Sequence, residues 1–211
     1  MTNLLKYLED PCGELSIPYW KNKIIKIPEN MKIVHNRDFK DDLLTDYSDC
    51  MYFRLLHDLQ DIPAPSVCGI KIKTAAQNDL PEIVSVINAS YDDISTTLEQ
   101  VQKLRQSPAF APELWVLAED AITGETVGCG MADFDAEAGE LILEWIQVLP
   151  NHRRKGIGAE MVHELLRRKP ESAAFATVSG KADDPSAPEA LYRSCGFTGE
   201  DYWHILIRNK K

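Results

Sequence analysis

The sequence predicts a mixed α/β fold, a sheet carrying helices on both faces, and three observations predict it. From residue 69 onward, short β-branched or alternating apolar runs interleave with amphipathic runs of helical period. Three strand-like runs follow one another between residues 114 and 149, separated by glycine-bearing turns. Finally, the apolar run Leu141 to Leu149 feeds a short basic loop, Arg153-Arg154-Lys155-Gly156-Ile157-Gly158, which opens an amphipathic run from Ala159 to Arg168. The order strand, helix, helix, three strands, helix, strand, helix, strand needs a mixed sheet covered on both sides.

Starting at the N-terminus, Pro11-Cys12-Gly13 and Pro28-Glu29-Asn30 read as turns, and Lys23–Ile27 and Met31–His35 as short strands. Cys50–Leu59 fits strand or helix, and the aromatic pair Tyr52-Phe53 favours strand. Two prolines in Asp61-Ile-Pro-Ala-Pro-Ser66 disfavour either regular structure. They set residues 1–68 apart as an N-terminal extension or small subdomain, leaving 69–211 as the main domain.

Gly69–Thr74 is a strand with Ile70 and Ile72 on one face. Asn78-Asp79-Leu80-Pro81 opens a helix with Leu80, Ile83, Val84 and Ile87 at its apolar positions. Ser95–Gln106 gives a second, through Leu98, Val101 and Leu104. Leu114–Glu119 and Thr126–Phe134 flank a Thr123-Gly124-Glu125 turn. Glu140–Leu149 is the next strand, Gly156–Arg168 the helix after it, and Ala173–Ser179 another strand. Ser186-Ala187-Pro188-Glu189 reads as a capping box for a short helix that Gly196 ends, and Tyr202–Arg208 is the last strand.

The chain has 211 residues, which suits one large domain or a domain with an extension. Its 33 acidic residues against 23 lysines and arginines argue against nucleic acid as the main partner. In that background the cations at 153–155 read as a local anion site. A helix leaves about four N–H groups unbonded at its start, and its dipole adds roughly half a positive charge there. Glycines let an anion approach such a backbone closely, so the loop calls for a phosphorylated ligand. The five cysteines (Cys12, Cys50, Cys68, Cys129, Cys195) show neither a disulfide frame nor metal-ligand spacing. Scattered thiols, the lack of a secretory leader pattern and the lack of an apolar run of about 18–20 residues lead us to expect a cytoplasmic protein with no metal and no membrane association.

These motifs resemble the GNAT N-acetyltransferase superfamily. Its acyl-CoA motif is a strand, then Gln/Arg-x-x-Gly-x-Gly/Ala, then a helix, matched here by Leu141–Leu149 and Arg153–Gly158. Val148 stands five residues before Arg153, and Pro150 follows in the usual place. A second signature, Leu-Tyr followed shortly by Gly-Phe, stands as Leu191-Tyr192 and Gly196-Phe197. The resemblance covers residues 69–208 and implies a GNAT-like, mostly antiparallel sheet. It further implies acetyl-CoA as cosubstrate, with its pyrophosphate on Arg153, Arg154, Lys155, Gly156, Ile157, Gly158 and Ala159. The pantetheine arm would run along Ile146, Gln147 and Val148.

The reaction it implies is direct acetyl transfer to a primary amine on a small molecule or a peptide, and the acidic balance favours a small cationic acceptor. Glu144, a carboxylate in an otherwise apolar strand, is the candidate base and resembles a glutamate of polyamine-type members. Its bland alternative is a solvent-facing or arginine-paired strand residue. Tyr192 is by resemblance the acid that protonates the departing thiolate; a packed aromatic beside Leu191 and Cys195 is the alternative. The Val148 N–H is the implied oxyanion donor.

Asp133, Asp135, Glu137 and Glu140 read first as a solvated turn and second as an attractor for a cation. His152 and His163 read as surface residues, and His204 as a half-buried histidine with a backbone partner or a residue lining the acceptor pocket. Two departures from the family stand out: no asparagine occurs between Lys181 and Tyr192, and one strand replaces the usual C-terminal hairpin. Residues 1–68 or a second subunit then cover the free edge, which leaves a homodimer open. A non-catalytic acyl-CoA-binding sensor or interaction protein is the alternative function.

Overall fold

A computed structural model describes residues 3–66, 69–90 and 95–209; Cys68 lies outside them. The elements in chain order are α1 (Leu4–Glu9), α2 (Pro11–Glu14), α3 (Tyr19–Asn22), β1 (Met31–His35), β2 (Tyr47–His57) and β3 (Ile70–Thr74). Next come α4 (Leu80–Ser90), α5 (Leu98–Leu104), β4 (Phe110–Asp120), β5 (Thr126–Asp135), β6 (Glu140–Val148) and α6 (Ile157–Arg167). β7 (Phe175–Lys181), α7 (Pro188–Ser194) and β8 (Thr198–Arg208) complete the chain. Two compact units form, one from Met1–His57 with Thr177–Lys211 and one from Asp58–Ala176.

In the first unit β8 lies between β1 and β2 and runs antiparallel to both. Met31 opposes Ile207 and His35 opposes Trp203 on one side, while Tyr47 opposes Arg208 and Arg54 opposes Asp201 on the other. The C-terminal strand thus has N-terminal strands on both edges. Arg54, 1% exposed, anchors this unit by donating to the Pro11 carbonyl and to the hydroxyls of Tyr7, Thr177 and Ser179.

Three local expectations fail in this unit. Lys23–Ile27 is not a strand: the amides of Lys23, Ile24 and Ile25 turn back to carbonyls of Trp20 and Lys21, and Ile24, Ile25 and Ile27 stay exposed. β-Branched composition supplies propensity, but no partner face buries it. Pro11–Glu14 is a helical turn, because Asp10 accepts the Gly13 amide at 2.9 Å and Pro11 takes the first helical position. The capping box before α7 does not form either. Ala187, at φ +53°, precedes the helix, and the Ser186 amide donates to Asp184. Gly196, at φ +92°, ends α7 as its sequence predicts.

The second unit has the order β6-β5-β4-β3, antiparallel throughout. Alternation sends Trp115, Leu117, Cys129 and Met131 to one face, where Leu80, Ile83, Val86, Ile87 and Val101 of α4 and α5 cover them. Ile70, Ile72, Ala118, Ile146 and Val148 join a second cluster with Ile157 and Met161 of α6. Helices therefore cover both faces, as predicted. α5 is shorter than its sequence pattern, since the Thr97/Gln100 capping box starts it at Leu98. Only Val101 is buried there; Leu98 and Leu104 are exposed. Among the described residues no helix is long and apolar enough to cross a membrane.

Candidate functional site

The site is built on β6 and the turn into α6. The Leu149 amide donates to the Val127 carbonyl at 2.9 Å. Antiparallel pairs alternate between bonded and non-bonded positions, so the backbone groups of Val148 and Ile146 aim away from β5. Both residues lie opposite glycines, Gly128 and Gly130. A Cβ at Gly128 would fall 2.7 Å from the Gln147 carbonyl oxygen, and one at Gly130 would press on Val116 and Leu165. These two positions admit α6 close to the sheet.

Register then slips by one. Met131 opposes Trp145 but Ala132 opposes Leu143, so Glu144 is the extra residue of a β-bulge. A bulge interrupts the ladder at its extra residue and re-aims its side chain, and here that residue is the half-buried candidate base.

Beyond Val148 the chain makes a tight turn over Pro150–His152, adopts φ +62° at Arg154 and φ +80° at Gly156, and enters α6 at Ile157. The left-handed conformation at position 156 favours glycine, and a Cβ built there meets nothing within 4 Å, so the approach to the first-turn amides is open. Arg154 and Lys155 are exposed beside it. Arg153 is placed differently: its Nε donates to the Val148 carbonyl at 3.0 Å and its Nη2 to the Ser90 carbonyl at 2.8 Å. An open, cationic helix start next to a strand backbone directed away from β5 fits a ligand with both a phosphate and an amide-bearing arm.

Glu144 belongs to the Asp58–Ala176 unit and Tyr192 to the other. Tyr192 is buried, with its ring centroid 6.1 Å from that of Phe53 and 5.8 Å from that of Phe197 of its own unit. The thiols of Cys129 and Cys195 are both pushed up by burial, the first to about 12, which keeps them protonated and poorly nucleophilic. Among the described residues no group of three or more His, Cys, Asp or Glu side chains is placed to hold a metal ion.

The acidic hairpin is not a solvated turn. Asp133, Asp135 and Glu140 are buried, and Glu137 alone is exposed. Asp135 Oδ1 accepts the amides of Glu137 and Ala138, so the turn folds over its own carboxylate. His163 and His152 are half-buried rather than on the surface. His204 is buried, with side-chain partners: Nδ1 bonds Asp49 at 2.6 Å, Nε2 bonds Asn36 at 3.2 Å, and Phe39 stacks on the ring. Sequence reasoning missed the Gly128/Gly130 pair, which alternating glycines in a strand can signal. It also missed buried Glu160, which receives Ser66 and Arg167.

Residues 111–199 match the family model of the acetyltransferase (GNAT) domain. No curated protein sequence matches the chain significantly. Among solved structures it is similar to a GCN5-related N-acetyltransferase from Sphaerobacter thermophilus, with TM-score 0.68 and 20% identity. That match covers 90% of this chain and 65% of the other, so the chain spans less than two thirds of that relative's length. A functionally unknown conserved protein from Staphylococcus epidermidis matches with TM-score 0.62 and 14% identity over 100% and 82% of the two chains. Ard1 from Thermoplasma volcanium matches with TM-score 0.54 and 14% identity over 68% and 99%. At these identities the likeness is one of fold.

Proposed function

From the premise that this chain belongs to the GNAT superfamily, we propose that it is an N-acetyltransferase moving an acetyl group from acetyl-CoA directly to a primary amine on a small cationic acceptor. The observation that carries the reading is the continuous run from Glu144 to Ala159. It joins a bulged carboxylate, a backbone at Ile146 and Val148 directed away from β5, and an open helix start with cations before it.

Acetyl-CoA supplies an activated acyl group as its thioester. The α6 first-turn amides, with Arg154 and Lys155, hold the pyrophosphate, while Ile146 offers its N–H and C=O groups to the pantetheine arm. Glu144 takes a proton from the incoming ammonium, since an aliphatic amine must be neutral to attack. The Val148 N–H stabilises negative charge building on the carbonyl oxygen. As the C–N bond forms and the C–S bond breaks, Tyr192, by its resemblance to the family tyrosine, gives its phenolic proton to the departing sulfur, and the second proton shed by the acylated nitrogen restores the phenol through solvent. Buried, protonated Cys129 and Cys195 favour direct transfer over an acyl-enzyme. The net charge of −10 favours a cationic acceptor.

The test is thiol release from acetyl-CoA with a panel of di- and polyamines, aminoglycosides and lysine peptides. Turnover with one class supports the reading. CoA binding with no turnover on any amine would replace it with that of a non-catalytic sensor.

A further inference from the structure

Arg153 is the first residue of the loop motif, yet its guanidinium is directed at two backbone carbonyls. One belongs to Val148, the last residue of β6, and the other to Ser90, the last residue of α4. The final carbonyls of a helix have no partner inside it and carry the negative end of its dipole. The charge of Arg153 therefore already has a counterpart at the α4 C-terminus, where a cation is stabilising. Its second bond closes the turn from Val148 to Arg153 into a ring, inside which the His152 amide donates to Leu149 at 2.8 Å and the Arg153 amide to Pro150 at 3.3 Å.

We propose that Arg153 is a positioning residue: it latches the β6–α6 turn to the end of α4 and does not serve as the phosphate's counter-charge. The inference rests on the acyl-CoA reading of the site. The latch sets the spacing between the Ile146–Val148 backbone and the α6 first turn, and with it the fit of one ligand to both. It also reaches the start of α5. Asn88, on the same last turn of α4, exchanges two bonds with the Thr96 backbone at 2.7 and 3.0 Å, beside the Thr97 cap of α5. Arg154 and Lys155 are left to meet the phosphate charge. Only a planar fork with donors in two directions holds both carbonyls at once, so lysine is not an equivalent residue.

The experiment is CoA binding by calorimetry over a salt series for wild type, Arg153→Lys, Arg153→Ala and an Arg154→Ala/Lys155→Ala double variant. Alongside it, amide hydrogen exchange is measured over residues 86–90 of each ligand-free protein. We expect Arg153→Lys and Arg153→Ala each to weaken CoA by about tenfold at every salt concentration, with the wild-type salt slope retained. The double variant flattens the slope. Exchange at the end of α4 rises in both Arg153 variants and stays at wild-type rates in the double variant. Wild-type affinity in Arg153→Lys with a flattened slope in Arg153→Ala would overturn the proposal, as would unchanged exchange in both. If wild-type protein binds no CoA at any salt, the acyl-CoA reading fails and the exchange measurement alone decides whether the latch exists.

Discussion

Ser66 donates both its backbone amide, at 3.0 Å, and its hydroxyl, at 2.5 Å, to one carboxylate oxygen of Glu160. Arg167 donates to the other oxygen and also to the Pro63 carbonyl at 2.8 Å. The proline-containing segment is thereby clasped to α6, the helix whose first turn forms the candidate anion site. Burial pushes the Glu160 carboxyl up, but the Ser66 bonds and the Arg167 guanidinium outweigh it and hold the group below the usual carboxylate range. Glu164, clasped by Arg168 and Arg167, is lowered in the same way.

Stability should therefore fall on acidification. A carboxyl lowered in the folded state stabilises fully above its unfolded value, near 4.5, and loses that contribution as pH drops through the folded value. We expect the thermal midpoint to decline below about pH 4.5. Glu160→Gln should cost about 2 kcal/mol at neutral pH and show a shallower decline in acid. A Glu160→Gln protein with the wild-type acid profile would remove this clasp from the account.

That clasp was not legible in the sequence, because its partners stand 94 positions apart and share no local period. What was legible is local. Met31–His35 and the Ile70/Ile72 face follow from alternation, and the loop from Arg153 to Gly158 from glycine and charge chemistry. The bulge at Glu144 is a property of pairing with β5, which no reading of β6 alone contains. Burial of Asp133, Asp135 and Glu140 depends likewise on how the hairpin packs. Lys23–Ile27 shows the converse, a strand-like composition that no neighbour completes.

Replacing Glu144 by Gln should test the base. The amide keeps the bulge but cannot accept a proton, so kcat should fall by about 100-fold near neutral pH, with CoA affinity unchanged. The deficit should shrink as pH rises toward the acceptor amine's own pKa, because a neutral amine needs no base. A pH–rate profile for both proteins reads this, and a constant ratio across pH would remove Glu144 from proton transfer.

Tyr192→Phe separates chemistry from packing. The ring contacts with Phe53 and Phe197 survive the change, so the fold should be retained. Loss of the phenolic proton should slow thiol release by about 100-fold without changing the KM for acetyl-CoA. Full activity in this variant would leave Tyr192 as a packed aromatic.

Two glycines near the loop should respond to alanine to different degrees. At Gly156 a Cβ enters open space, and the cost is the left-handed backbone alone, about 1 kcal/mol. At Gly128 the same atom falls 2.7 Å from the Gln147 carbonyl oxygen and 3.2 Å from Met161. The methionine can yield, but the carbonyl belongs to the β5–β6 ladder, so the strands must part or α6 must lift. We expect Gly128→Ala to lose about 2–3 kcal/mol by chemical denaturation. Because Gly128 lies directly opposite Val148, the displacement reaches the backbone proposed to align the donor, and CoA affinity should fall with stability. A Gly128→Ala protein no less stable than Gly156→Ala would mean that the sheet yields at this point, and that the close approach of α6 does not set the site's geometry.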